Sequence, residues 1–160
     1  QMAAFCPDTV NCIRYLIGRV DGRMEMLKGF VRFGTKRSGY VENYNVGGIM
    51  CYLDEAGRFT EGNAMNESGT GNLVVDVHPD TGKALVGSIP MWSELVRAAD
   101  AFAARFPQMQ YLGFDFVVTD QEQVKLLEIN SLTSLDCLQV DGTVWGTKAG
   151  RFFEQLRRSK

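Results

Sequence analysis

Histidine is nearly absent from this sequence, since His78 is the only one among 160 residues. Zinc sites built from histidine and cysteine, and metal sites with two histidines, therefore lack ligands. A Ser-His-Asp triad would need His78, which stands in the turn-like stretch His-Pro-Asp-Thr-Gly at 78–82. We interpret His78 as a surface or turn residue.

The chain also lacks long apolar runs, a C-x-x-C pair and a large excess of either charge. No segment reads as a membrane span or as the core of a signal peptide. The formal charge of −2 shows no excess of basic residues of the kind that binds nucleic acid or an anionic membrane. We interpret the four cysteines, at 6, 12, 51 and 137, as reduced thiols of a cytoplasmic protein rather than a disulfide framework.

The length suits one domain with a substantial core, and we treat residues 1–160 as a single domain. The first residue is Gln1 rather than methionine, and strand-like sequence follows almost at once. We therefore expect the chain to be a piece of a longer protein.

Apolar runs between turn signals predict a set of β-strands. They cover residues 12–19, 24–33, 48–54, 73–78, 83–87, 111–118 and 124–130. Helical spacing of apolar residues predicts helices over 91–106 and 145–158. The polar residues 60–72, which include several glycines, predict a mobile loop. Together these elements predict an α+β domain, a largely antiparallel β-sheet with two helices packed on one side.

The last predicted hairpin, residues 111–130, brings acidic side chains together. If its loop is centred on positions 121 and 122, Asp115 lies opposite Glu128 and Gly113 lies opposite Asn130. Side chains alternate across a strand, so Asp115, Glu128 and Asn130 share one face. The same register pairs Val118 with Lys125 and Phe116 with Leu127. It directs these apolar side chains to the core: Phe114, Phe116, Val118, Leu127 and Ile129.

Two opposed carboxylates repel each other, so this pair needs a cation or a shared proton. An oxygen-rich set without histidine or thiol suits Mg²⁺ or Mn²⁺. Gly113 opposite Asn130 leaves space where a ligand would approach. Two other interpretations stay open: both acids face solvent on an edge hairpin, or they form a general acid/base pair as in glycosidases. The second leaves Asn130 and the upstream arginines without a role.

Several motifs now resemble those of a known family. They are Gly-Phe-Asp115-Phe, Leu-Leu-Glu128-Ile-Asn130, Asn11-Cys-Ile-Arg14, Arg32-Phe-Gly34, Asn45-Val-Gly-Gly48, His78-Pro-x-Thr-Gly82 and Ile89-Pro-x-Trp92. Over residues 8–140 the sequence resembles the ATP-grasp superfamily, and the last two motifs resemble its sugar-transfer-associated branch. The resemblance implies the C-terminal lobe of an ATP-grasp fold, whose partner would be a missing N-terminal lobe of the same protein.

The resemblance also implies roles for particular residues. Asp115, Glu128 and Asn130 would hold two magnesium ions, with Glu128 bridging them, against the phosphates of ATP. Arg14 and Arg32 would be the catalytic arginines at the γ-phosphate or acyl phosphate. A further set would bind the nucleotide or substrate: Asn45, Gly47 and Gly48, with Lys28 as a weaker candidate. Some amino-acid ligases have an arginine at the position that Gly113 holds in this chain. Here Arg14 or Arg32 would have to supply the positive charge that stabilises the transition state.

The implied function is ATP- and Mg²⁺-dependent ligation of a small-molecule carboxylate to an amine or sugar-linked substrate through an acyl phosphate. Attachment of a group during cell-surface polysaccharide assembly follows from the branch. The alternative is a non-catalytic binding or assembly module that kept the fold. In that case four aromatic residues could form a carbohydrate platform: Trp92, Tyr40, Tyr44 and Tyr52.

The catalytic interpretation places a condition on the first hairpin. Asp21-Gly22 between its strands is typical of a two-residue turn, and such a turn alone puts Arg14 and Arg32 on opposite faces. A three-residue loop, or a bulge at Gly29, puts both arginines on one face. We predict one of these two arrangements.

Overall fold

The computed structural model describes residues 2–39 and 41–158, which form a seven-stranded antiparallel sheet, a two-stranded sheet and two α-helices. The strands are β1 Ile13–Val20, β2 Arg23–Phe33, β3 Ile49–Leu53, β4 Arg58–Phe59, β5 Gly62–Met65, β6 Asn72–Val75, β7 Gly87–Ser88, β8 Tyr111–Val118 and β9 Val124–Asn130. The helices are α1 Trp92–Ala104 and α2 Lys148–Arg158. The large sheet has the order β6-β5-β3-β2-β1-β8-β9, and β4 pairs with β7. The predicted α+β class is confirmed.

The turn between β1 and β2 has the two-residue form typical of its sequence. Val20 pairs with Arg23, which leaves only Asp21 and Gly22 in the turn. Both have positive φ, 48° and 83°, as the hairpin turn that follows the twist of the strands requires. Asp21 adopts the left-handed conformation that aspartate tolerates better than most residues.

The two helices lie on opposite faces of the large sheet, so the prediction that both pack on one side was wrong. Leu95 and Ala99 of α1 belong to the main core with the odd-numbered residues of β1. Phe152 of α2 packs with Val20 and Leu27 on the other face. The sequence pattern could not decide this, because both faces of β1 are apolar and either can bury a helix.

The predicted mobile loop over residues 60–72 was also wrong in part. Residues 62–65 form β5, which pairs with β3 and β6 inside the sheet. Gly62 is needed there, since a Cβ atom would lie 2.6 Å from the Ile49 side chain. Only residues 66–71 form a turn, closed by a hydrogen bond from Asn66 N–H to the Gly71 carbonyl. Pairing with β3 outweighs the low strand propensity of this segment.

Other boundaries shift by a few residues. The predicted strands 73–78 and 83–87 reduce to β6, β7 and a single bridge between Val77 and Ala84. Helix α1 begins after Met91, which has a φ of 55°, and α2 begins at 148 rather than 145. No helix in the described ranges has the length and apolar character needed to cross a bilayer.

The structure buries His78 completely, so its interpretation as a surface residue was wrong, although it does open the predicted turn. Its Nε2 lies 2.8 Å from the Gly34 carbonyl oxygen. The adjacent Asp80 accepts a hydrogen bond from Lys36 N–H at 2.7 Å. The turn at 78–82 therefore anchors the loop after β2. All four cysteines are free thiols, and Gln1 and Tyr40 lie outside the described residues.

Candidate active site

Neighbouring strands place a row of polar side chains on one face of the sheet. Arg14 of β1 lies opposite Asp115 of β8, and Asp115 lies opposite Glu128 of β9. Directly opposed residues share a face and have neighbouring side chains. This is the face that also carries α2 and the segment after β9.

Arg32 joins this row because β2 contains a bulge. The register of β1 against β2 shifts by one residue, which leaves Leu27 unpaired. Arg32 then lies two residues beyond the partner of Arg14 and on the same face. Both predicted arrangements were therefore wrong, since the turn has two residues and the bulge lies at Leu27 rather than Gly29, but this bulge still places the two arginines on one face.

The second hairpin confirms the two pairs on which the site depends. Asp115 lies opposite Glu128, and Gly113 lies opposite Asn130. The predicted pairs nearer the turn were wrong, because a register shift directly after Asp115 leaves Leu127 unpaired. Leu127 is 55% exposed instead of lying in the core, because β9 is the edge strand.

Asp115 is buried and forms ion pairs with both arginines. Arg14 donates through Nε to Oδ1 and through Nη2 to Oδ2, the second at 2.7 Å. Arg32 Nη2 lies 3.6 Å from Asp115 Oδ1 and 3.4 Å from Glu42 Oε1. All four side chains are at most 16% exposed. Two guanidinium groups and two carboxylates thus form a partly buried network of balanced charge, as ions shielded from water require.

The side chains of this row supply the oxygen ligands that a hard divalent ion prefers. Arg14 occupies the Asp115 carboxylate, for which such an ion would compete. Asp115 and Glu128 supply carboxylate oxygens and Asn130 supplies an amide. Asn130 Nδ2 is buried without a hydrogen-bond partner, which leaves its amide available to be oriented by a ligand. Among the described residues no group of three acids, histidines or cysteines is close enough to hold a metal ion. Arg14 donates to both oxygens of Asp115, so a metal ion at this carboxylate would compete with Arg14.

Gly113 does not leave open space for a ligand, contrary to the prediction. A Cβ atom at this position would lie 2.2 Å from Thr133 Oγ1 and 2.9 Å from Leu16 Cδ2. The side chain of Thr133, which follows β9, fills the gap. Gly113 therefore permits the segment after β9 to pack down against the sheet.

A cavity of about 450 Å³ opens beside the charged network. Arg14 and Arg32 line it from the sheet, and Phe30 lies between them on the same face. The opposite walls come from the loop after β2 and from the segment after β9: Asn43, Tyr44, Asn45, Val46, Ser134, Asp136, Cys137 and Val140. The cavity thus presents two guanidinium groups to whatever enters it, which suits phosphate or carboxylate.

A known family matches most of the chain. The family model described as sugar-transfer associated ATP-grasp matches residues 1–148. The chain belongs to the sugar-transfer associated ATP-grasp family. Membership indicates an ATP-dependent, ligase-like function associated with sugar transfer. No curated protein and no solved structure matches the chain.

The Asn-x-Gly-Gly turn of this ATP-grasp chain lies at the cavity, but its glycine N–H groups donate to carbonyl groups of the residues just before the turn. Gly47 N–H donates to the Tyr44 carbonyl at 3.1 Å, and Gly48 N–H donates to the Asn43 carbonyl at 2.9 Å. Gly47 has a φ of 110°, which favours glycine. The two glycines therefore shape the turn, and Asn45 and Val46 are its members that line the cavity.

Lys28 is not brought into the cavity with the arginines. Its Nζ lies 2.6 Å from Asp141 Oδ2 and 4.1 Å from the centre of the Tyr52 ring. It lines a separate cavity of about 690 Å³ with Glu55 and Lys148. The ion pair between Lys28 and Asp141 links the segment before α2 to the sheet.

The four aromatic residues considered for a carbohydrate platform do not share a surface in the described part of the chain. Trp92 packs edge-on against Tyr15 in the main core, with ring centres 5.5 Å apart. Tyr52 donates its hydroxyl to the Cys137 carbonyl. Only Tyr44 lines the cavity, and Tyr40 lies outside the described residues.

Sequence reasoning missed Glu42 and two cysteines of the site. Burial raises the pKa of Cys12 to about 12, and the nearby Glu42 carboxylate adds to this. Burial also raises the pKa of Cys137, which lines the cavity, while Arg14 opposes that shift. Glu42 directly precedes the Asn-containing turn, and its sequence alone gives no sign that it meets Arg32.

Proposed function

We propose that this chain supplies the phosphate- and metal-binding half of an ATP- and Mg²⁺-dependent carboxylate ligase. The observation that supports it most is that Arg14 and Arg32, which both line one cavity of an ATP-grasp chain, converge on Asp115 beside it. The substrates would be a small-molecule carboxylate and an amine or sugar-linked acceptor. We place the reaction in the cytoplasm, in assembly of cell-surface polysaccharide.

The residues proposed to hold Mg²⁺, or Mn²⁺, are Asp115, Glu128 and Asn130. The bound ion would supply charge neutralisation to the phosphates of ATP. Asp115 has to exchange its ion pair with Arg14 for the ion, and Glu128 is already exposed beside it. The released Arg14 guanidinium then faces the cavity, where it can bind phosphate oxygens.

The proposed reaction has two steps. An oxygen of the substrate carboxylate attacks the γ-phosphorus, the bond from that phosphorus to the bridging oxygen breaks, and ADP leaves. The acceptor nitrogen then attacks the acyl carbon, loses a proton, and inorganic phosphate leaves. Such transfers depend on positioning and charge stabilisation. We assign those tasks to Arg14 and Arg32, with Asn45 contacting the substrate or phosphate and Gly47 and Gly48 shaping its turn.

Calorimetric titration of the full-length natural protein with Mg²⁺ and a non-hydrolysable ATP analogue tests this proposal. We expect binding heat in the wild type and its loss in Glu128→Gln, which removes one metal ligand but keeps the side-chain size. Glu122→Gln is the matched control, because Glu122 is an exposed acid in the turn of the same hairpin. Unchanged binding in Glu128→Gln would favour a non-catalytic module.

A further inference from the structure

Glu42 has no role in the proposed reaction, yet its side chain is largely shielded from solvent beside a proposed catalytic arginine. Its side chain is 15% exposed, and Oε1 lies 3.4 Å from Arg32 Nη2. A carboxylate that is removed from water is stable only when it is paired. Arg32 provides that pairing.

The backbone around Glu42 is held firmly in place. The Glu42 carbonyl lies so close to Gly48 that a Cβ atom there would approach to 2.5 Å. The next residue, Asn43, accepts hydrogen bonds from Val46 N–H at 3.2 Å and Gly48 N–H at 2.9 Å. Glu42 is therefore fixed by the turn that also forms the wall of the cavity.

Arg32 Nη2 is shared between two carboxylates of different kinds. Glu42 Oε1 lies 3.4 Å away on one side and Asp115 Oδ1 lies 3.6 Å away on the other. Arg32 Nε is buried and has no hydrogen-bond partner. The position of the guanidinium therefore depends on the balance between these two acids.

We propose that Glu42 is a positioning residue that shares Arg32 with Asp115 and so weakens the hold of Arg32 on Asp115, which favours metal binding by Asp115 while Arg32 stays at the cavity. This inference rests on the proposed function, because it assigns Asp115 to the metal. Without the Glu42 charge, Arg32 pairs with Asp115 alone and competes with the ion. Loss of Glu42 should therefore weaken metal binding through Arg32.

A double-mutant cycle on the full-length natural protein tests this coupling. Mn²⁺ is titrated in the presence of a non-hydrolysable ATP analogue, and free Mn²⁺ is measured by electron paramagnetic resonance. We expect Glu42→Gln to weaken Mn²⁺ binding about tenfold. In the Arg32→Gln background the same substitution should change it less than about twofold, because its mediator is gone. Glu42→Asp keeps the charge and should lose less affinity than Glu42→Gln.

The outcomes separate the two proposals. A wild type that binds neither Mn²⁺ nor the analogue overturns the proposed function and this inference with it. Normal binding in the wild type together with unchanged binding in Glu42→Gln overturns the role of Glu42 alone. An equal loss in both backgrounds also overturns it, because a general charge effect or a merely structural role acts without Arg32. If Glu42→Gln fails to fold, Glu42→Ala in the wild-type and Arg32→Gln backgrounds replaces it, because alanine also removes the charge.

Discussion

At the scale of single residues, Arg14 occupies the carboxylate that the ATP-grasp interpretation assigns to a metal ion. The pair is bidentate and buried, with side chains 14% and 7% exposed. Charge-assisted bidentate pairs are among the stronger interactions in proteins. Arg14 and the ion therefore compete for Asp115, and the outcome of that competition can be measured.

We predict that Arg14→Gln raises the affinity for Mn²⁺ about tenfold, because the competing cation is removed. The same change should lower the affinity for the ATP analogue, because a phosphate donor is lost. Both affinities are obtained by calorimetry, titrating Mn²⁺ alone and then the analogue at saturating Mn²⁺. Arg58→Gln is the control, since Arg58 is 69% exposed and pairs with Asp54. Weaker Mn²⁺ binding in Arg14→Gln would contradict the competition.

Gly113 gives a second prediction at this scale. Gly113→Ala should lower the free energy of unfolding by about 1–3 kcal/mol, the usual cost of overpacking. The cause is the clash of the new methyl group with Thr133 Oγ1 and Leu16 Cδ2. Urea unfolding measures it, and Gly113→Ala in a Thr133→Ala background should cost less. An equal cost in both backgrounds would show that Thr133 is not the obstacle.

At the scale of elements, the sequence predicted hairpins well and their irregularities poorly. The strands at 111–118 and 124–130 have the predicted bounds, because both are apolar runs between clear turn signals. The bulges at Leu27 and Leu127 follow from how long-range partners fit. Neither has a local sequence signal. The pairing of Asp115 with Glu128 agrees with the prediction because the extra residue at Leu127 offsets a turn that is one residue shorter than predicted.

Helix α2 shows what tertiary packing adds to a periodic pattern. Its residues were predicted to be helical, but the sequence did not indicate which face of the sheet the helix covers. That face is the one where Phe152 is fully buried against Val20 and Leu27. Gly18 makes this contact possible, because a Cβ atom there would lie 2.9 Å from the Phe152 ring. A close approach between strand and helix of this kind is invisible in a single sequence.

We predict that Phe152→Ala lowers the free energy of unfolding by about 3–5 kcal/mol, the range for a buried phenylalanine. The reason is the lost burial and the cavity left beneath α2. Phe153→Ala is the matched control and should cost roughly 1–2 kcal/mol, since Phe153 is only half-buried. Urea unfolding compares the two, and similar losses would show that Phe152 is not the anchor of α2.

At the scale of the whole molecule, the class of fold was predictable, but the charge balance around the proposed site residues was not. The family motifs identify Arg14, Arg32 and Asp115 along the chain. That Asp115 is paired with both arginines depends on three strands meeting side by side. Glu42 completes the network from a loop, where no periodic pattern constrains its position.

Burial of thiols and phenols across the sheet makes the whole fold sensitive to alkali. Burial is the main cause that raises the pKa of Cys12 and Cys51 from 9.0 to about 12. It likewise raises the pKa of Tyr15 and Tyr111 from 10.0 to about 12. In the unfolded chain these groups lose their protons at lower pH than in the folded protein, so they favour unfolding once the pH exceeds the unfolded values.

We therefore predict that the stability these groups contribute is fully present below about pH 9 and falls steadily as the pH rises toward 12. Each buried group adds up to about 1.4 kcal/mol per pH unit to the slope of the free energy of unfolding within its own window. Urea unfolding at a series of pH values measures this slope. Cys51→Ala replaces a fully buried thiol and should reduce the slope of the free energy of unfolding between pH 9 and 12. Cys6→Ala serves as the comparison from another buried cysteine. An unchanged slope in Cys51→Ala would mean that its thiol ionises as readily in the fold as in the unfolded chain.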